Sequence, residues 1–135
     1  MKKVIININM LNLVLQNTSG PLPTSTYAML DGGIEIGFIQ IRHQPSHSCD
    51  VPTNFASHIY YEIKPEYRHK GYGKKILKLG LKKVEEIGLK EIIITCYDDN
   101  TPSKKIIEAN GGILVDSYLI PTDQKKFLKY KLNVK

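Results

Sequence analysis

The densest run of chemistry-bearing residues is Glu62-Ile63-Lys64-Pro65-Glu66-Tyr67-Arg68-His69-Lys70-Gly71-Tyr72-Gly73-Lys74-Lys75. At its centre stands Arg68-x-x-Gly71-x-Gly73. Two glycines so close together let a backbone take unusual dihedrals and come near a ligand. Where a helix starts, the first N–H groups have no intrahelical partner and the macrodipole favours negative charge. With Arg68, Lys70 and Lys74 adding countercharge, the segment is suited to gripping a diphosphate. It is not a P-loop, since no G-x-x-x-x-G-K-[ST] is present, nor a full G-x-G-x-x-G. Taken alone, the same residues also describe an ordinary turn followed by a solvated lysine face.

The charge distribution points the same way. Lys64 to Lys90 holds nine basic and three acidic residues, which equals the whole formal net charge of +6 and calls for an anionic partner. At 135 residues and 41% hydrophobic the chain suits one domain with a real core, and its composition excludes disorder, collagen and coiled coil. No apolar run reaches the ~18 residues that would span a bilayer. Cys49 and Cys96, without a CxxC, make no disulfide framework, so a reduced cytoplasmic chain is the simplest reading. Cys96 ends an apolar strand with no evident histidine partner and reads as a buried thiol rather than a nucleophile. His43, His47, Cys49 and His58 follow no recognised zinc spacing, and no metal is expected.

The elements that must position these residues follow from periodicity and breakers. Met1-Lys2-Lys3 and the apolar residues to Leu15 have the outline of a secretory signal, but three asparagines interrupt them and no A-x-A site follows. Ile6 to Met10 alternates with period two and predicts a strand. Gln16 to Pro23 is loop chemistry. Thr26–Leu30 and Ile34–Arg42 predict a hairpin turning at Asp31-Gly32-Gly33, and residues 43–57 the longest loop. His58–Ile63 is a strand that stops at Pro65. Ile76, Leu77, Gly80, Leu81, Val84 and Ile87 share one stripe of a helix from about Lys74 to Ile87, ended by Gly88. Glu91–Tyr97 reads as a buried strand. Thr101-Pro102 opens a second helix that Asn110-Gly111-Gly112 closes, and Ile113–Tyr118 and Phe127–Leu132 are closing strands. Because strands and helices alternate only in the second half, the expectation is one α/β domain with a mixed, mostly antiparallel sheet flanked by helices.

Several of these motifs in order resemble the GNAT superfamily of acyl-CoA N-acyltransferases: Ile63-x-Pro65-x-x-Arg68-x-x-Gly71-x-Gly73, a helix, an Ile-rich strand, Asn100-x-x-Ser103 and Glu108-x-x-Gly111. One branch of bacterial acetyltransferases within it carries patterns like Pro23-x-x-x-Tyr27, Ile41-Arg42-His43, His58-Ile59-x-Tyr61 and Thr95-Cys96-x-x-Asp99-Asn100. The resemblance covers roughly residues 20 to 130. It implies a single GNAT-type domain over residues 1–135, acetyl-CoA as co-substrate and an amine as acceptor.

By that resemblance, Arg68, His69, Lys70, Gly71, Tyr72, Gly73 and Lys74 would hold the CoA phosphates. Ile63 and Tyr61 would offer strand backbone to the pantetheine arm, and Asn100 and Ser103 would line the cofactor. Transfer is expected to be direct, which requires a base for the acceptor ammonium. His58 lies near the family's base position and has a suitable ordinary pKa of about 6.5; the competing reading is a histidine hydrogen-bonded in the core. The tyrosine that often protonates the leaving thiolate corresponds to Ile107, which leaves Tyr97, Tyr118 and solvent as substitutes. Family members also open with one or two helices that wall the acceptor site, whereas only about fifteen residues precede the Thr18–Pro23 loop here. That wall is then shortened, built from residues 43 to 57, or supplied by a second copy in a homodimer. An acyl-CoA-binding module without catalysis is the alternative function. Nucleic-acid binding through the lysine face is the third, against which the aromatics are not interleaved with the basic run.

Overall fold

A computed structural model describes residues 10–19, 23–46 and 51–134. The predicted strand before Met10, Pro21 and Leu22 of the predicted loop, His47 and Cys49 lie outside the described residues.

The N-terminal half is an antiparallel meander: β1 (Leu11–Ser19), β2 (Thr24–Asp31), β3 (Ile34–Ser46) and β4 (Ser57–Ile63), adjacent in that order. Residues 16–19, expected as loop, instead prolong β1, with Asn17 opposite Thr26 and Thr18 opposite Ser25. Polar residues are tolerated there because β1 is an edge strand open to water. The β2–β3 hairpin turns at Gly32 and Gly33, both with positive φ. β3 runs past Arg42 to Ser46, and its ladder to β4 breaks after Ile41–Ile59 and resumes only at Ser46–Ser57. A Cβ at Gly37 would run into the Glu62 carbonyl oxygen, so this strand pair is as close as it is only with glycine there.

The second half consists of α1 (Tyr72–Ile87), β5 (Glu91–Tyr97), α2 (Thr101–Ala109), β6 (Ile113–Leu119) and β7 (Lys126–Asn133), with a second sheet in the order β5-β7-β6. Every ladder among the described residues is antiparallel, so the α/β domain contains two antiparallel sheets where one mixed sheet was expected. The would-be parallel neighbours are β4 and β5. His58 sits beside Ile93 and Tyr61 near Cys96, yet no ladder joins the strands.

One core spans both sheets. Ile76, Leu77 and Val84 of α1 are fully buried against residues such as Ile39, Ile41, Ile92 and Leu132. Each such side chain stabilises the fold by about 1.5–3 kcal/mol. Gly80 lets α1 settle on β3, since a Cβ there would stand 2.5 Å from Ile39 Cδ1. A smaller cluster joins Val51, Phe55 and Ile120, with Tyr118 and Phe127 packed on it. The end of the segment predicted as a long loop thus crosses from the first sheet to the second. No helix among the described residues is long and apolar enough to cross a membrane.

Candidate active site

The start of α1 is built to be left open. It has no side-chain cap and no acidic residue in its first turn. The start of α2 is closed instead, where Asn100 Oδ1 accepts the Ser103 N–H at 3.2 Å. The first amides of α1 are therefore free for an external anion. Before them, His69 (φ 61°) and Gly71 (φ 90°) both take the left-handed conformation. For a histidine that costs about 1–2 kcal/mol, a strain that binding loops commonly hold. Gly73, expected to share the unusual dihedrals, has none. Its smallness serves packing, because a Cβ there would lie 2.6 Å from Ile106 Cδ1 of α2.

In front of this turn opens a cavity of about 590 Å³. Its wall brings together Tyr61, Ile63, Arg68, His69, Gly71, Tyr72, Gly73, Lys74, Asn100 and Ser103. Lys70 is not in that wall, and its Nζ lies 5.8 Å over the Tyr67 ring. Two expected contacts are modified. Arg68 Nε donates to the Ile63 carbonyl at 2.8 Å while its guanidinium faces Glu62 at 3.6 Å, so that carbonyl is engaged by the chain itself. The Tyr72 hydroxyl donates to Asp31 Oδ2 at 2.6 Å, which pushes its pKa up to about 12 and ties the helix start to the β2–β3 turn. Glu62, which faces the Arg68 guanidinium, Tyr67, Pro102, Lys105 and Ile106 complete the wall and were missed. Continuing the Asn100-x-x-Ser103 pattern along its helix would have found the last two.

A second cavity of about 430 Å³ continues into the gap between β4 and β5 and shares Tyr61, Asn100 and Ser103 with the first. Arg42, Ser57 and Ile59 line it from one sheet, and residues 94–97 and Phe127 from the other. Phe55 packs on Phe127 at 6.3 Å between ring centroids, so the crossing segment supports this wall. At the junction the Tyr61 hydroxyl faces Ser103, and burial holds its pKa above the ordinary phenol range. Ile107, where the family tyrosine was sought, lines the same cavity as Tyr61. Cys96 is buried and its pKa is raised to about 11, which leaves it a thiol at neutral pH and no nucleophile.

His58 departs from its expected role. It lines neither cavity, and its Nδ1 accepts the Ile93 N–H at 3.0 Å. Burial, with a smaller effect from the nearby Arg42 charge, holds its pKa below the ordinary value, so the ring is neutral at pH 7. A neutral ring bound this way carries its hydrogen on Nε2, and its basic lone pair is already engaged. This geometry supports the competing reading, a histidine tying two strands together.

The family model for the acetyltransferase (GNAT) domain matches residues 9–113, and the chain belongs to this family. A comparison with curated protein sequences gives no match. Among solved structures, the chain resembles the Salmonella typhimurium acetyltransferase that modifies the N-terminal serine of ribosomal protein L7/L12, with 16% identity, a TM-score of 0.64, and coverage of 83% of this chain and 64% of that one. It also resembles yncA of Salmonella typhimurium, described as an acetyltransferase and solved with its cofactor acetyl-CoA (13% identity, TM-score 0.67, 83% and 65% covered). A third is a GNAT-family acetyltransferase of Bacillus anthracis, at 22% identity and TM-score 0.61, with 80% and 65% covered. The chain thus spans a little under two thirds of these proteins, and at such identities the likeness is one of fold.

Proposed function

We propose that the chain is an acetyl-CoA-dependent N-acetyltransferase that passes an acetyl group to an amine in a ternary complex. The observation that carries this reading is the uncapped start of α1, opening on a 590 Å³ cavity that leads into a gap between unpaired strands. Acetyl-CoA, when bound, supplies an acyl group already activated as a thioester. The amides of Gly73 and Lys74 would bind its diphosphate, with the Lys74 ammonium as countercharge. The free edge of β4 would orient the extended arm, as an unpaired strand edge does for any ligand rich in amides. Asn100 and Ser103 would line that arm where the two cavities meet.

In the transfer itself, a C–N bond forms as the C–S bond breaks. Tyr61 would give its hydroxyl proton to the departing sulfur and recover one through Ser103, in place of the tyrosine absent at Ile107. The ammonium proton of the acceptor would leave to water at the mouth of the second cavity, since His58 offers no free lone pair there. No acyl-enzyme is needed, in keeping with the protonated thiol of Cys96. The reading belongs to the cytoplasm, where free thiols and thioesters share a reducing medium. The test is release of free thiol from acetyl-CoA by purified protein over a panel of amines, alongside acetyl-CoA affinity. Tight binding without turnover on any amine would replace the enzyme with a binding module.

A further inference from the structure

We propose that the acceptor is an amine bearing a carboxylate on a short carbon skeleton, and that Arg42 is the residue that selects it. The inference deepens the transferase reading above and rests on it. Among the described residues, Arg42 is the one charged side chain in the wall of the 430 Å³ cavity. It is half-buried, and Nη1 donates to Ser57 Oγ at 3.3 Å. The ion pairs among the described residues all lie elsewhere, and none reaches Arg42.

A partly desolvated guanidinium with no counterion among the described residues is costly, and burial here does lower its pKa. Five N–H donors in a rigid fork match a carboxylate in two-point contact, and among the described residues one bond to a serine leaves most of the fork unused. Around it the cavity presents Ile59, Ile94, Ile107 and Phe127, surfaces for methylene groups rather than for a second charge. The backbone supports the placement. The β3–β4 ladder breaks just after Ile41, so Arg42, still paired with Thr24 of β2, has no ladder partner on β4 and reaches Ser57 through its side chain. Ser57 and Tyr61 lie four residues apart on β4, about 13 Å along the strand, so the carboxylate site stands well away from the reacting end.

The test compares 4-aminobutyrate and 6-aminohexanoate with their amides and with butylamine, by thiol release from acetyl-CoA. The acids are expected to exceed their neutral counterparts at least tenfold in kcat/KM. Arg42→Gln should bring that ratio close to one, with acetyl-CoA affinity unchanged as the check that the variant is folded. Arg42→Lys, charged but without the fork, should fall between. An independent readout is calorimetric binding of N-acetyl-4-aminobutyrate to CoA-saturated protein, which Arg42→Gln should weaken about tenfold. Equal rates for acids and amides, or an acid preference that survives Arg42→Gln, would overturn the inference. Arg42-dependent binding of the acetylated acid without turnover on any amine would sink the transferase reading and leave the carboxylate site standing. Loss of both would remove the two together. A dipeptide with an amino-terminal aspartate, turned over faster than the free acids, would overturn the small-molecule assignment.

Discussion

The two cavities that meet at Tyr61 are made in different ways. The first is mostly one stretch of chain: the end of β4, the turn through His69 and Gly71, and the opening of α1 supply most of its wall. The second takes Arg42 from β3, Ser57 and Ile59 from β4, residues 94–97 from β5, Ile107 from α2 and Phe127 from β7. An anion can be held by main-chain amides, and amides are presented by local geometry, so a diphosphate site compresses into a short motif. An acceptor is told from its competitors by side chains, and these can arrive from anywhere in the fold.

The largest expected effect breaks the first cavity alone. Gly73→Val would drive a branched side chain into Ile106 and spread α1 from α2, displacing the amides of the turn. We expect acetyl-CoA affinity by calorimetry to fall about 100-fold, or ~2.7 kcal/mol, with far-UV circular dichroism unchanged. Affinity within threefold of wild type would show that the diphosphate is not held at this turn. Next in size is a change at the point the two cavities share. Tyr61→Phe removes the hydroxyl that faces Ser103 and keeps the ring, so thiol release should slow about tenfold while acetyl-CoA affinity stays level. A drop in affinity matching the drop in rate would make Tyr61 part of the first cavity only. Lys74→Ala should cost about fivefold in acetyl-CoA affinity, ~1 kcal/mol, and leave the acid-to-amide ratio of the acceptors untouched. If that ratio moved as well, the two sites would not be separable.

What was legible beforehand follows the same division. Glu91–Tyr97, both helices and the glycine turn could be read because each is a local pattern of period, cap and breaker. The polar end of β1 could not, since Asn17 and Thr18 become strand only because β2 offers them partners. Nor could the separation into two sheets, because alternating strands and helices say which elements neighbour each other and not whether neighbouring strands bond. Of the site, Tyr61, Ile63, Asn100 and Ser103 line the first cavity, while Lys70 points at Tyr67 and the carbonyl of Ile63 is taken by Arg68. Arg42 stood in view inside the Ile41-Arg42-His43 pattern. Its significance needed the register break and the cavity wall, neither of which leaves a trace in spacing.

The last effect is on stability and concerns the tie that holds the gap in shape. His58 accepts from Ile93 N–H across two strands that share no ladder, so removing it should be felt as stability and not as loss of a base. His58→Ala leaves a partly buried amide without a partner, a cost of about 1–2 kcal/mol in denaturant unfolding, and His58→Gln, which keeps an acceptor, should recover part of it. The pH profile separates this role from catalysis. Burial lowers the native pKa of His58 below that of the unfolded chain, so the unfolded state takes up a proton first as pH falls. The stabilisation is complete above about pH 6.5 and is lost as pH drops through the native pKa, and His58→Gln should flatten that part of the slope. A variant that unfolds like wild type at every pH yet loses most of its turnover would restore His58 as the base, and the second cavity would then extend to the strand end at which this residue stands.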